Sequence, residues 1–181
     1  MRREEALELI RERVGSKNLI KHMLAAEACM RKLARLLGEN PDVWGAAGLL
    51  HDIDYEETSS KPELHGIVSS AFLEEIGVEE AITGAVKAHA RRKERTRNIE
   101  KALYAVDPAT GLIVAAALMH PAKKIKSLDT GFVLKRFREK RFAAGADRGQ
   151  IAACSEIGLD LETFIGVCLE AMKEIDTCLG L

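Results

Sequence analysis

The stretch SKNLIKHMLAAEACMRKLARLLGENPDVWGAAGLLHD, residues 16–52, decides the fold class. Leu19, His22, Ala26, Met30 and Leu33 fall three or four residues apart, so they share one face of a helix. Asn18 can cap that helix, which runs to about Leu37 and is closed by Gly38. Asn40 then caps a second helix with Pro41 in its first turn, where the missing N–H costs nothing. That helix ends near His51.

The same periodicity continues outward in both directions. Residues 3–14 form a short opening helix ended by Gly15 and Ser16. Asp54–Lys61 is polar and reads as a loop, and Pro62 starts a helix to about Ile76. Further helices are expected over Glu79–His89, Ile99–Asp107 and, opened by Pro108, through Met119. Lys123–Gly145 is basic with short helical turns, and Asp147–Ile157 and Leu161–Leu179 complete the helices. No alternating strand pattern, internal repeat or long Gly/Ser linker interrupts them. The expected architecture is all-α, one compact helical bundle. Its core lies at about residues 16–120, with a helical extension at 121–181.

At 181 residues the chain can bury a core without disulfides as staples. Its net charge of −1 gives no overall attraction to nucleic acid, and no specific nucleic-acid partner is expected. The four cysteines form no CxxC pair and read as buried thiols of a reducing compartment, without a zinc ribbon. The charged N-terminus lacks the apolar core of a signal peptide, and no apolar run reads as long enough to span a membrane. A cytoplasmic protein is therefore expected; a homodimer is compatible with the sequence but not specified by it.

The chemistry lies in the placement of four histidines and two aspartates. His22, His51, Asp52, His65, His89 and Asp107 all fall on apolar faces of successive helices. A buried carboxylate costs several kcal/mol unless it is paired or bound to a cation. Four imidazoles and two carboxylates converging on one interior are most cheaply explained by metal. Imidazole nitrogen suits transition ions and carboxylate oxygen suits harder ions or a bridge between two. One or two divalent ions are expected: Fe, Mn, Ni, Co or Zn, with Mg also admitted.

The order His22, His51-Asp52, Asp107 resembles the HD superfamily of metal-dependent phosphohydrolases. GLLHDIDYE resembles that family's doublet at a helix end, and KALYAVDPATGLI the helix carrying its last aspartate. The resemblance implies that these four residues hold one metal. His65 and His89 match a subset that binds two metals, with Asp52 bridging. Downstream, KSL and KRFREKRFAAGADR resemble the C-terminal signature of a branch of predicted HD hydrolases whose substrate is unassigned. The short loop DYEETSSKPEL departs from the compact dinucleoside tetraphosphate hydrolases, and no GYP-type extension points to cyclic-di-GMP.

The implied reaction is hydrolysis of a phosphomonoester or phosphodiester, on a nucleotide or small phosphometabolite, by metal-activated water. Asp52 and Asp54 are the catalytic candidates. Asp54 would orient or deprotonate water or protonate the leaving group, and a loop carboxylate or helix cap is its other reading. Lys126, Lys140 and Arg148 are candidates for holding the substrate phosphate. The run Arg91, Arg92, Lys93, Arg95 and Arg97 beside His89 could steer anions inward. Glu27 could pair with a basic group, and His120 reads as structural. Two other functions stay open: a di-iron oxygenase using the same ligand types, and a non-catalytic ligand-sensing module.

Overall fold

The two helices read from residues 16–52 are present as α2 (Lys17–Leu37) and α3 (Pro41–Leu50) in a computed structural model that describes all 181 residues. Ser16, two residues upstream of the expected cap, accepts the Leu19 N–H at 3.3 Å and starts α2. Gly38 ends it in the left-handed region, and Asn40 accepts the Asp42 N–H to start α3. Before this pair lies α1 (Arg3–Arg13). After it come α4 (Tyr55–Thr58), α5 (Ile67–Glu75), α6 (Glu80–His89), α7 (Asn98–Met119), α8 (Thr130–Arg138), α9 (Arg148–Ala152), α10 (Leu161–Glu174) and α11 (Asp176–Leu179). Short 3-10 turns occupy Pro62–Leu64, Ile125–Ser127 and Ala153–Ile157, and there is no strand. The protein is all-α.

α2 and α3 meet almost backbone to backbone. A Cβ placed on Gly48 would lie 2.7 Å from the Ala26 carbonyl oxygen, a distance that admits only hydrogen. Around this contact the buried residues are small: Ala25, Ala26 and Cys29 on α2, and Gly45, Ala46 and Ala47 on α3. α7 packs against α2, α6, α8, α9 and α10, so the chain wraps around it. Buried apolar residues from Ala6 in α1 to Leu179 in α11 form one continuous cluster.

Several expectations change. α7 is one helix, not two, with Pro108 inside it. Proline removes one N–H and crowds one carbonyl, and burial of both flanks, Leu103 to Ala117, outweighs that local cost. Joined in this way it is 22 residues long, and its most apolar 18-residue window has a mean hydropathy of 1.6, enough by length and composition to cross a membrane, although most of that window is buried inside the fold. α5 begins at Ile67, five residues later than Pro62 suggests. The intervening Gly66 has φ +78, and a Cβ there would lie 2.5 Å from that of Ala90, so the turn before α5 presses against the end of α6. Finally, Cys178 is exposed, whereas Cys29, Cys154 and Cys168 are buried.

Two buried carboxylates outside the histidine cluster are paired. Glu27 accepts from Arg3 at 2.6 and 2.9 Å and from Arg31 at 2.8 Å. Glu100, fully buried, accepts from the Thr96 and Arg97 N–H groups and from Lys93, and so caps α7 from its first turn.

Gly48→Ala should destabilise the fold by about 1–3 kcal/mol through overpacking. At roughly 2–4 °C per kcal/mol for a chain of this size, calorimetry would read the loss directly. Glu100→Ala should cost about 1–3 kcal/mol, since it leaves donors unpaired. Burial works against the Glu100 carboxylate, but the Arg97 and Thr96 amides and Lys93 outweigh it and hold its pKa below the usual range. Its contribution is therefore complete above the unfolded value of about 4.3 and fades as pH falls through the lower folded value. The unfolding free energies of wild type and Glu100→Ala should converge in acid, as urea titrations at a series of pH values would show.

Candidate metal centre

The six residues expected to converge do so, from five separate segments. His22 lies in the second turn of α2, and His51 and Asp52 follow the last residue of α3. His65 lies in the turn before α5, not on the helix, His89 is the last residue of α6, and Asp107 is midway along α7. The Gly48–Ala26 contact explains the first meeting: His22 is one helical turn before Ala26, and His51 is three residues after Gly48. The Gly66–Ala90 contact explains the second, because His65 and His89 are the residues immediately preceding that pair.

The imidazoles form two pairs. His22 Nε2 lies 3.1 Å from His51 Nε2, and His65 Nε2 lies 3.1 Å from His89 Nε2. Asp52 sits between the pairs and divides its carboxylate. Its Oδ2 is 3.4 Å from His22 Nε2 and 3.3 Å from His51 Nε2, and its Oδ1 is 3.4 Å from His65 Nε2 and 3.5 Å from His89 Nε2. Asp107 Oδ1 joins the first pair, 3.2 Å from His22 and 3.9 Å from His51. His51, Asp52 and His89 are buried, and His22, His65 and Asp107 are partly open.

Each ring is oriented by its other nitrogen. His51 Nδ1 donates to the Gly48 carbonyl at 2.8 Å, and His89 Nδ1 donates to the Val86 carbonyl at 2.5 Å. Both histidines end a helix and use a carbonyl of its last turn, which lacks an intrahelical partner. His65 Nδ1 donates to Asp54 Oδ1 at 2.8 Å. The Thr110 hydroxyl gives its proton to the Asp107 carbonyl, 2.8 Å away, so its oxygen accepts from His22 Nδ1 at 3.0 Å. With all four Nδ1 atoms donating, every neutral ring turns an Nε2 lone pair inward. Four lone pairs and two carboxylates facing one another repel unless positive charge lies among them. This donor set fits divalent cations, and the outer hydrogen bonds are those that usually fix metal-binding histidines.

The charge balance agrees. Burial opposes charging His22, but hydrogen bonds and charge from Asp107 and Asp52 outweigh it and push its pKa up to about 10. Burial likewise opposes ionisation of Asp52 and Asp107, yet the neighbouring imidazoles hold Asp52 well below, and Asp107 below, the ordinary carboxylate range. Two overlapping sets, His22/His51/Asp107 and His51/Asp52/His89, have ligand atoms within 4.8 Å of one another. His65 lies outside the second set but touches it through His89 and Asp52.

The residues around this cage differ from those expected. Asp54 is buried, and its oxygens accept from His65 Nδ1, from Gly66 N–H at 2.9 Å and from Ser69 N–H at 2.9 Å. It caps α5 from outside and holds the back of the His65 ring, which matches the helix-cap reading of this residue. Arg148 is reassigned: its guanidinium donates to the carbonyls of Phe142, Ala143 and Ala146 and so ties the loop after α8. Lys126 pairs with Asp176 at 2.8 Å, and Lys140 is exposed on that same loop. A cleft of about 280 Å³ opens onto the cage, and none of these three cations lines it. Tyr55, Arg91 and Gln150 do. Arg91 belongs to the basic run beside His89, whereas Thr110 and Gln150 were not anticipated. Thr110 was findable, because it lies one helical turn from Asp107. His120 accepts the Ala122 N–H and stacks edge-on to Phe132, away from the cage.

The family model described as HD domain matches residues 19–117, more than half of the chain and every residue of the cage. No curated protein and no solved structure matches the chain.

Asp54→Asn should weaken divalent-ion binding by roughly 10- to 100-fold, the usual cost of losing a group that orients a ligating histidine. Isothermal titration with Mn or Ni would measure it. Unchanged affinity in a folded variant would remove Asp54 from the support of His65.

Proposed function

The chain belongs to the HD domain family, a superfamily of metal-dependent hydrolases, and we propose that it is a phosphohydrolase working with a pair of divalent ions on a phosphomonoester or phosphodiester. The observation that carries this reading is the division of Asp52. Each of its oxygens faces a different histidine pair, as a carboxylate shared by two ions would. His22, His51, Asp52 and Asp107 would hold one ion, and Asp52, His65 and His89 the other. Imidazole-rich sets of this kind favour transition ions over Ca or Mg. When bound, such ions supply Lewis acidity toward a phosphoryl oxygen and a water acidic enough to attack near neutral pH.

The chain's own groups do the rest. Thr110 and Asp54 keep the protons on the Nδ1 atoms of His22 and His65, so that both rings present their Nε2 atoms. Arg91 provides the positive charge at the cleft. Its side chain is 58% exposed and paired with Asp147 at 2.9 Å, and it also reaches Gln150 at 3.3 Å. Its backbone sits at φ +61, a conformation that a non-glycine residue adopts at a cost. In this reading a phosphoryl group displaces Asp147 and takes the planar fork of Arg91. Tyr55, edge-on to His65 with ring centres 5.6 Å apart, brings its phenol to the same cleft and can donate to the leaving oxygen.

Metal analysis of the purified protein, followed by a phosphatase and phosphodiesterase panel with added Mn, Ni, Co, Fe and Mg, tests the proposal. Hydrolysis of at least one ester class is expected, with Asp52→Ala losing metal and activity together. Arg91→Ala should keep its metal and raise KM by roughly 10- to 100-fold, the worth of a charge-assisted hydrogen bond of about 1.5–3 kcal/mol. Bound iron that consumes dioxygen, with no ester cleaved, would replace this reading by an oxidative one.

A further inference from the structure

One end of the molecule combines exposed apolar and cationic side chains. α7 finishes on Leu118 and Met119, which are 53% and 64% exposed although most of its apolar length is buried. The chain then turns tightly: the Lys123 N–H donates to the His120 carbonyl at 2.9 Å, and Lys123 itself sits at φ +49. Pro121, Ala122, Lys123 and Lys124 are all exposed. His120 packs edge-on against Phe132, ring centres 5.2 Å apart, and so fastens this turn to the start of α8. One turn along α8 from Phe132, Lys135 is exposed, and Arg138 follows it three residues later. Charge on this surface is one-sided. Lys123, Lys124, Lys135 and Arg138 pair with no carboxylate, whereas the carboxylates of the same segment are occupied. Asp129 accepts the Phe132 N–H at 2.7 Å, and Glu139 is held by Arg136 at 2.7 Å. The patch is therefore cationic on a chain whose net charge is only −1. None of these residues lines the Arg91 cleft.

We propose that this end of the protein docks on an anionic lipid surface, with Met119 and Leu118 entering the headgroup layer and Lys123, Lys124, Lys135 and Arg138 meeting the lipid phosphates. The proposal places the protein on a surface and does not depend on the phosphohydrolase reading. It concerns a protein lying on a bilayer, which needs no spanning segment. The pairing of features selects the partner. A polynucleotide would engage the cations alone and leave Met119 and Leu118 in water. It would also find no open ring for its bases, because Phe132 is half-buried beneath His120 and the Arg136 guanidinium. A bilayer takes both features at once, since its charged headgroups border an apolar layer. Cations near such a surface each add attraction, and a second, apolar signal turns that attraction into attachment. The tight turn at Lys123 and the His120–Phe132 contact hold the apolar and cationic groups together in advance, so little ordering is left to the docking step.

Vesicle sedimentation of the whole protein tests this, with phosphatidylcholine vesicles compared against vesicles that also contain phosphatidylglycerol. Wild type should bind the anionic vesicles roughly 10-fold better or more, and lose that preference in high salt as the cations are screened. The double variant Lys124→Glu, Lys135→Glu should weaken binding to the anionic vesicles by roughly 10-fold or more. Met119→Ser should weaken it roughly 5-fold, through an apolar side chain that no longer enters the interface. All three side chains are exposed, so the variants should melt as the wild type does by circular dichroism. Equal affinity for the two kinds of vesicle, or none for either, would overturn the proposal. Full vesicle binding by the charge-reversed protein would place the contact elsewhere and overturn it too. Anionic-vesicle binding that ignores Met119→Ser would remove the apolar anchor on which the choice of a bilayer rests. Binding of a single-stranded RNA homopolymer with no binding of vesicles would give the cations to a polynucleotide and refute the docking surface.

Discussion

The rest of the structure depends on one steric constraint: α3 lies against α2 so closely that Gly48 has no room for a side chain beyond hydrogen. Helices whose contact is lined by larger residues sit about 8–10 Å apart. The alanines and glycines here bring the axes together and place His22 and His51 at hydrogen-bonding distance. Arg31 exploits the same closeness. It lies across Gly45, where a Cβ would come within 2.6 Å of its Nε, and ties Glu27 to Asp42. A single contact therefore sets two histidines on one side and, on the other, an ion-pair network around the buried Glu27.

Polar groups are expensive inside a protein, and this one concentrates them. The expense is contained because each outer donor of the cage meets an acceptor that the fold already leaves free. Helix ends supply carbonyls to His51 and His89, and an α5 start without a capping side chain of its own shares Asp54 with His65. The cage is thus a by-product of where helices stop as much as of which side chains they carry.

The helices and their inward histidines were legible because periodicity and burial are properties of local sequence. His22, His51, Asp52, His65, His89 and Asp107 announced themselves as polar residues on apolar faces. What escaped depends on partners far along the chain. Pro108 resembles a helix start until both of its flanks prove to be core. Arg148 has the donor fork of a phosphate ligand, and nothing local tells that carbonyls five or six residues upstream consume it. Asp54 could be read from sequence as a proton-transfer group or as a cap, and the bonds to His65 and to the start of α5 that fit the cap come from residues 11 to 15 positions away. The cation at the cleft, Arg91, was one of five in a run, and only the α6–α9 geometry singles it out.

Because the cage draws on α2, the end of α3, the turn before α5, the end of α6 and the middle of α7, no fragment that lacks any of these five segments contains it whole. An ion seated there would bind only the native state, and its free concentration would enter the folding equilibrium by mass action. The same ion would then be reagent and rivet. In a cell starved of it, the protein would fall silent and also be cleared, since the unfolded fraction that proteases sample would rise.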